Sequence, residues 1–309
     1  FYLVKKNIDP DYPLDAADGR TGRKEPGGQA YGIDAANDFD PIVEDIYDYC
    51  EAQELDVDTL SHESGPAQLE INFNHGDPLE LADQVFLFKR TVRQAALKHD
   101  VYATFMAKPH ENEPGSSMHI HQSVMDSKTG KNIFSSKDGT PSKLFLNHIG
   151  GLQRYLAAAL SLCAPNVNSY RRLVPDSDAP TNVHWAVDNR TVSLRVPSSD
   201  AGNTRVENRV PGADANPYLA FAASLACGYL GMMERIKPSD AVTGSAYRYA
   251  HTLPISLDES LDKLNYTKAL KLVLGEKFCE AYNDVKFQEM QNYRRVISSW
   301  EREYLLLNV

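Results

Sequence analysis

The 309-residue sequence predicts an α+β fold. Four short segments alternate polar and apolar residues, which is typical of strands whose successive side chains point to opposite faces: 68–73, 118–123, 191–196 and 205–210. Longer segments with helical apolar spacing lie between and after them, without the regular βαβ alternation of a doubly wound sheet. We therefore expect a mainly antiparallel sheet flanked by helices.

The first half of the chain predicts the following elements. Residues 1–4 form part of a strand, and residues 5–32, rich in Gly, Pro, Asp and Lys, form a long surface loop. Apolar residues at helical spacing predict helices over 38–54 and 79–98. Between and after these helices we expect a hairpin-like strand region at 56–75, strands at 101–106 and 117–124, and a turn-rich connection at 126–142.

The second half begins with a predicted helix over 143–163 and a Pro- and Asn-rich loop over 164–182. Asn216 as a cap, with Pro217 in the first turn, predicts the start of a buried helix. The remaining predictions are strands at 183–188, 191–196 and 205–210, an irregular stretch at 238–258, and helices at 259–274 and 276–300.

Composition excludes several classes of function. A net charge of −10 without a basic block argues against nucleic acid as the main partner. The four cysteines are far apart and show no C-x-x-C, so the sequence predicts a reducing, cytoplasmic location without a zinc site or disulfide framework. The longest uncharged run, 215–233, could cross a membrane by its length, but Pro217 and Gly228 favour a buried helix and no membrane partner. P-loop and Rossmann motifs are absent from the sequence.

One face of the predicted strands collects acids, imidazoles and arginines, a set suited to metal ions and a polyanion. Its members are Gln68, Glu70, His119, His121, Ser123, Ser193, Arg195, Arg205, Glu207 and Arg209. The opposite face is almost wholly aliphatic and suits packing against helices.

The acids of this face predict a divalent-metal site. Glu63 and Glu70 flank a segment that must bend, so their carboxylates can converge on one ion, while His119 and Glu207 have matching orientations. Carboxylates with at most one imidazole suit Mg²⁺ or Mn²⁺ better than Zn²⁺. Taken singly, each acid could be a solvated strand residue, each histidine an ordinary hydrogen-bonded one, and Glu207 the partner of a neighbouring arginine. The metal hypothesis rests on their co-occurrence.

Six arginines lie in one stretch of the chain: Arg171, Arg172, Arg190, Arg195, Arg205 and Arg209. Guanidinium forks bind phosphate and carboxylate groups through two parallel hydrogen bonds. Because phosphoryl transfer is catalysed mainly by positioning and charge stabilisation, acids together with these arginines favour ATP chemistry over hydrolysis. For Arg171 and Arg205 we expect surface salt bridges.

Seven blocks of sequence resemble the glutamine synthetase superfamily in order and spacing: 63–70, 103–109, 115–123, 164–175, 189–197, 205–209 and 215–219. The resemblance implies that residues 1–309 are a glutamine synthetase-type catalytic domain with a curved, mainly antiparallel sheet. It implies a longer chain, with a small amino-terminal β domain and a Glu-x-Glu motif before Phe1, that assembles into a ring-type homo-oligomer. The isolated fragment is then expected to bind metal poorly and to be inactive.

The resemblance also implies a reaction and its residues. ATP phosphorylates the γ-carboxyl group of glutamate, and ammonia or a primary amine attacks the γ-glutamyl phosphate. Glu63 and Glu70 would hold one Mg²⁺ or Mn²⁺ ion, and His119 and Glu207 a second. The other implied residues are Arg172 and Gly115 for glutamate, His121, Ser123, Arg190 and Arg195 for ATP, and Asp178, Arg190 and Arg209 for catalysis.

Three departures from the family pattern lie on the acceptor side of the site, which is the side that would bind glutamate and the amine. Asp178 stands where Glu is typical, Pro114-Gly115 where Asn-Gly is typical, and Ser117 where Gly is usual. Together with the segments 166–172 and 212–218, they make the chain similar to the γ-glutamylpolyamine (γ-glutamylputrescine) synthetase branch. Glutamine synthesis from ammonia is one alternative. A non-catalytic nitrogen sensor or structural relative is another, against which the complete phosphate side argues.

Overall fold

The computed structural model describes residues 1–136 and 138–309; Lys137, in the predicted connection 126–142, lies outside the described residues. The strands are β1 (Tyr2–Lys5), β2 (Val57–His62), β3 (Leu69–Phe73), β4 (Val101–Thr104), β5 (Ile120–Gln122), β6 (Trp185–Val187), β7 (Leu194–Val196) and β8 (Val206–Asn208). The helices are α1 (Ile33–Asn37), α2 (Asp40–Ala52), α3 (Pro78–Lys98), α4 (Lys143–Tyr155), α5 (Leu160–Cys163), α6 (Pro217–Glu234), α7 (Leu257–Tyr266), α8 (Lys268–Leu274), α9 (Glu276–Tyr293) and α10 (Ser299–Leu305).

The strands pair in three groups. β1 pairs with β4, β2 pairs with β3, and the remaining four lie in the order β5-β8-β7-β6. Of the ladders that the described residues form, only the one between β6 and β7 is parallel. A bridge between Tyr2 and Gln68 connects the first two groups. Strands and helices without βαβ order confirm the predicted α+β class.

The molecule has two main hydrophobic cores. One lies where α2 and α3 cover β1, β3 and β4, with Leu3, Ile46 and Val92 fully buried. The larger core lies between α4, α6 and the aliphatic face of the four-stranded sheet, which contributes Leu194 and Val206. Apolar residues of the alternating segments therefore face inward as predicted, and the chemistry-bearing face is left for the site.

Glycines allow α4 and α6 to approach closely. A side chain at Gly151 would overlap the backbone of Gly231, and one at Gly231 would meet the backbone of Asn147 and Gly151. The two helix axes can therefore pack backbone to backbone, and this contact fixes the larger core behind the sheet.

Three predicted helices are interrupted in the structure. The 143–163 helix ends at Tyr155 and resumes as α5, although residues 156–159 contain no Gly or Pro. The 259–274 helix is divided into α7 and α8 at Thr267, whose ψ of 87° leaves the helical region. The 276–300 helix ends at Tyr293, and α10 begins anew with a capping box between Ser298 and Glu301.

The helix predicted after Asn216 is confirmed as α6. The Asn216 side chain accepts a hydrogen bond from the Leu219 backbone N–H at 3.3 Å, and Pro217 occupies the first turn. Over residues 1–136 and 138–309, no helix combines the length and apolar character needed to cross a bilayer. The four cysteines are free thiols and are buried.

Candidate active site

The four-stranded sheet places three chemistry-bearing side chains side by side. Strand register sets His121 of β5 opposite Glu207 of β8, and Arg195 of β7 opposite the same glutamate. Residues directly opposite each other in a ladder project from the same face. The alternation predicted these faces strand by strand, and the register brings the three side chains into one row.

Glu207 is the centre of this row and is 2% exposed. Its Oε2 accepts a hydrogen bond from Arg195 Nη1 at 2.9 Å, and its Oε1 accepts one from Arg209 Nη1 at 2.7 Å. Burial opposes ionisation of this carboxyl, but His119, Arg209 and the hydrogen bond from Arg195 outweigh it and lower its pKa to about 2. Glu207 is therefore an anion held between two guanidinium groups.

His119 lies next to Glu207, with Nδ1 at 3.3 Å from Oε1. Burial of the ring and the positive charge of Arg209 lower the pKa of His119 to about 3. The imidazole is neutral at neutral pH and keeps one unprotonated ring nitrogen, which is the form that binds cations.

Three arginines around the row keep a buried donor without a partner. The Nε groups of Arg172, Arg195 and Arg209 lack any hydrogen-bond acceptor among residues 1–136 and 138–309. A buried charged donor left unpaired costs about 1–3 kcal/mol, so native proteins keep few of them. Guanidinium groups with donors left over are suited to binding an anionic group.

The second pair of predicted acids lies on the β2–β3 hairpin. Glu63 begins its turn and donates its backbone N–H to Gln68 O at 2.7 Å, while Glu70 lies opposite Ser61 in the ladder. Burial and the negative charge of Glu70 raise the pKa of Glu63, and Arg190 opposes that rise. The hydrogen bond to Tyr31 raises the pKa of Arg190, and the charges of Glu207 and Glu63 add to that rise. Arg190 is thus within electrostatic reach of both predicted metal sites.

Gly115 and Arg172 are in direct contact beside the turn of the hairpin, where Gln68 donates Nε2 to the Gly115 carbonyl oxygen at 3.1 Å. A side chain at Gly115 would overlap the Arg172 side chain and the Ala107 carbonyl oxygen, so only glycine fits there. Arg172 is 2% exposed and donates Nη1 to Ser117 Oγ at 2.9 Å and Nη2 to the Val210 carbonyl oxygen. Burial lowers the pKa of Arg172 to about 10, which still leaves it charged at neutral pH.

The remaining predicted residues are exposed. Asp178 lies in a turn with φ of 57°, and Ser123 directly follows β5. Arg190 is exposed and donates Nη1 to the Tyr31 hydroxyl at 2.9 Å. The roles predicted for these three side chains stay predictions.

Four contacts were missed by sequence reasoning. Arg205, expected in a surface salt bridge, donates Nε to His121 Nδ1 at 3.2 Å. Asp188 accepts from Arg195 Nη2 at 3.1 Å and so fixes the far side of that guanidinium. On the face expected to be aliphatic, Gln122 contacts His148 and Asn208 contacts Ser224. Polar residues at inward positions of the alternation were the only available signal for the last two.

The ligand set fits a hard divalent cation only in part. Among residues 1–136 and 138–309, no three His, Cys, Asp or Glu side chains group closely enough to hold an ion. Each predicted pair supplies two donors, Glu63 with Glu70 and His119 with Glu207. Each oxygen of Glu207 accepts one guanidinium N–H and retains a further lone pair. Mg²⁺ is commonly bound by one or two carboxylates together with water and substrate phosphates, so such pairs suit it.

The family model described as "Glutamine synthetase, catalytic domain" matches residues 1–305. The chain is 38% identical to gamma-glutamylputrescine synthetase PuuA of Escherichia coli (strain K12) over 312 aligned residues, which cover 100% of this chain and 66% of that protein. It is 34% identical to glutamate–isopropylamine ligase of Pseudomonas sp, covering 90% of this chain and 61% of the relative. It is 36% identical to glutamine synthetase of Pyrococcus abyssi, covering 95% and 66%. The chain thus spans 61–66% of the length of these relatives.

A solved structure titled "Apo GmaS without ligand" superposes with a TM-score of 0.83 at 29% sequence identity, covering 99% of this chain and 70% of that one. The family model, the relatives and this superposition agree with the resemblance carried by the ordered blocks between residues 63 and 219. The chain belongs to the glutamine synthetase family, of which it carries the catalytic domain.

Proposed function

We propose that the full-length protein is an ATP-dependent ligase that joins the γ-carboxyl group of glutamate to an amine through γ-glutamyl phosphate. The observation that carries this proposal is Glu207 held between Arg195 and Arg209 beside neutral His119, with the Nε groups of both arginines lacking an acceptor in the part of the chain that the structure describes. This arrangement offers donors for transferring phosphate oxygens, which is where phosphoryl transfer requires charge stabilisation. Membership of the glutamine synthetase family supports the same reaction class.

The arginines are already oriented before substrate binds. Glu207 fixes one N–H of Arg195 and one of Arg209, and Asp188 fixes a second N–H of Arg195. Their remaining donors can stabilise the negative charge of the transferring phosphoryl group without reorganising at the moment of reaction. We assign Arg190, Arg195, His121 and Ser123 to ATP, and Arg209 to stabilisation of the transfer.

Glu63 with Glu70, and His119 with Glu207, would each hold one Mg²⁺ or Mn²⁺ ion. When bound, the ions neutralise phosphate charge and polarise the transferring group. Glu63 and Glu207, one from each pair, both act electrostatically on Arg190.

The acceptor side contains the residues proposed for glutamate and the amine. Arg172, in contact with Gly115, would bind the glutamate carboxylate. Ser117 Oγ accepts a hydrogen bond from Arg172 Nη1 at 2.9 Å. Because glycine is usual at this position, the Ser117 hydroxyl adds a contact to the guanidinium group that would bind glutamate. Asp178 would accept a proton from the attacking amine.

For the amine we propose a polyamine such as putrescine. The identities with gamma-glutamylputrescine synthetase, glutamate–isopropylamine ligase and glutamine synthetase are 38%, 34% and 36%, and so do not decide between putrescine, isopropylamine and ammonia as the amine. The choice rests on the acceptor-side residues Pro114, Ser117 and Asp178. The proposed enzyme would be a cytoplasmic homo-oligomer, and the apolar side chains that α10 exposes, such as Trp300 at 58%, are compatible with subunit contacts.

The test is amine-dependent phosphate release by the full-length protein with ATP, glutamate and Mg²⁺. Putrescine, spermidine, isopropylamine and ammonium would be compared at equal concentration. We expect the highest kcat/KM with a polyamine. If only ammonium stimulates phosphate release, the polyamine proposal fails and the protein is a glutamine synthetase. If ATP binds but no amine stimulates phosphate release, the protein is a non-catalytic relative.

A further inference from the structure

The predicted surface loop 5–32 contains a buried carboxylate. Glu25 is 6% exposed, and its Oε2 accepts hydrogen bonds from His62 Nε2 at 3.0 Å and from the Ala67 backbone N–H. Both groups belong to the hairpin that carries Glu63. Burying a carboxylate costs several kcal/mol unless partners compensate for it, so this contact is a specific feature of the fold.

His62 connects Glu25 to the backbone of Glu63. Its Nδ1 lies 2.7 Å from the Glu63 carbonyl oxygen, while Nε2 faces the Glu25 carboxylate. Both ring nitrogens therefore lie within hydrogen-bonding distance of a partner, and these two contacts fix the ring in place. The ring carries no exposed surface in the side chain and cannot exchange these partners for water.

The backbone of the same segment follows the hairpin turn. Gly28 donates its N–H to Ser64 O at 2.7 Å, and Tyr31 donates its N–H to His62 O at 2.8 Å. Gly27 and Gly28 have φ of 74° and 72°, values that glycine adopts without strain. Segment 25–31 is therefore held to residues 62–67 by backbone and side-chain bonds together.

The opposite side of the turn is fastened to the proposed glutamate site. Gln68 accepts from Gly65 N at 2.9 Å and donates Nε2 to Gly115 O at 3.1 Å. Tyr31, at the end of segment 25–31, accepts from Arg190 on the phosphate side. Glu63 thus begins a turn that is supported from both sides, with the Glu25–His62 pair on the outer side.

We propose that Glu25 and His62 are positioning residues that hold the Glu63 turn in the geometry required for divalent-cation binding; this inference rests on the proposed function of Glu63 and Glu70. Neither side chain needs to touch the cation. Their role is to orient a ligand, as partners behind metal ligands commonly do, and their loss is expected to weaken cation affinity about 10–100-fold.

The experiment is Mn²⁺ binding to the full-length protein, followed by the EPR signal of free Mn²⁺, so that the readout does not need turnover. Wild type would be compared with Glu25→Gln, His62→Gln and the double variant. We expect about tenfold or greater weakening of the sites assigned to Glu63 and Glu70, with binding at the sites of His119 and Glu207 retained. Because the pair acts as a unit, the double variant should be no weaker than the single ones.

The control is another carboxylate–imidazole pair in the same half of the molecule. His99 Nε2 lies 2.5 Å from Asp45 Oδ2, between the end of α3 and α2. Asp45→Asn should leave Mn²⁺ affinity within about twofold of wild type. Circular dichroism identifies the variants that are folded. If either Glu25→Gln or His62→Gln is unstable, the other can still be compared with wild type and with the Asp45→Asn control.

Wild-type Mn²⁺ affinity in a folded Glu25→Gln or His62→Gln protein would overturn the inference. So would equal weakening in the Asp45→Asn control, because the effect would then be general destabilisation. Turnover of wild type with ATP and amines is measured separately. Its absence would count against the proposed reaction, whereas the comparison of Mn²⁺ affinities would still decide the role of Glu25.

Discussion

His148 makes the stability of the protein depend on pH. The residue is 1% exposed, its Nε2 contacts the Gln122 amide at 2.6 Å, and its ring packs against Gly228, where any side chain would overlap it. Burial lowers the pKa of His148 from 6.5 to about 4. Lowering the pH from 7 to 5 should therefore destabilise the folded protein, because the unfolded chain binds a proton that the folded imidazole does not accept.

The magnitude follows from the two pKa values. A difference of about 2.5 units corresponds to about 3 kcal/mol in total at about 1.4 kcal/mol per unit. This stability is fully present above pH 6.5 and is lost as the pH falls from 6.5 through 4. At pH 5, linkage gives a loss of about 2 kcal/mol from this group.

The assay is urea unfolding at pH 7 and pH 5 for wild type and His148→Gln, which keeps a neutral polar side chain beside Gln122. Other groups, including His119, titrate in both proteins, so the difference between the two pH dependences isolates His148. We expect wild type to lose about 2 kcal/mol more than the variant between these pH values. Equal losses in the two proteins would refute the reasoning.

Three further predictions concern the proposed reaction. Glu207→Ala removes the carboxylate between two guanidinium groups and should lower ATP-dependent phosphate release by about 100-fold or more; an unchanged rate would remove Glu207 from the site. Asp178→Asn should impair amine attack more than γ-glutamyl phosphate formation in single-turnover assays, and equal losses in both half-reactions would contradict its role as a base. Gly115→Ala presses a methyl group against Arg172 and should raise the KM for glutamate by about tenfold or more. An unaltered KM would place the glutamate site elsewhere.

Much of the fold was predictable because it is encoded locally. Alternation of polar and apolar residues determines which side chains share a face, so His121, Arg195 and Glu207 were assigned together before their strands were paired. Asn216 and Pro217 predicted the start of α6 because helix capping and a first-turn proline depend only on neighbouring residues, here Asn216 to Leu219. The break of the predicted helix at 156–159 has no such signal in the sequence.

The sequence by itself determined the family, the α+β class and the types of residue at the candidate site. The tertiary structure decided which partners these residues have: Arg195 and Arg209 on Glu207, Ser117 on Arg172, and Glu25 on His62. The physical reason is that local pattern restricts the direction of a side chain, whereas a hydrogen bond requires a partner at about 3 Å. Glu25 lies 37 positions from His62 in a segment that looks like solvent-exposed loop, and only the folded chain brings them together.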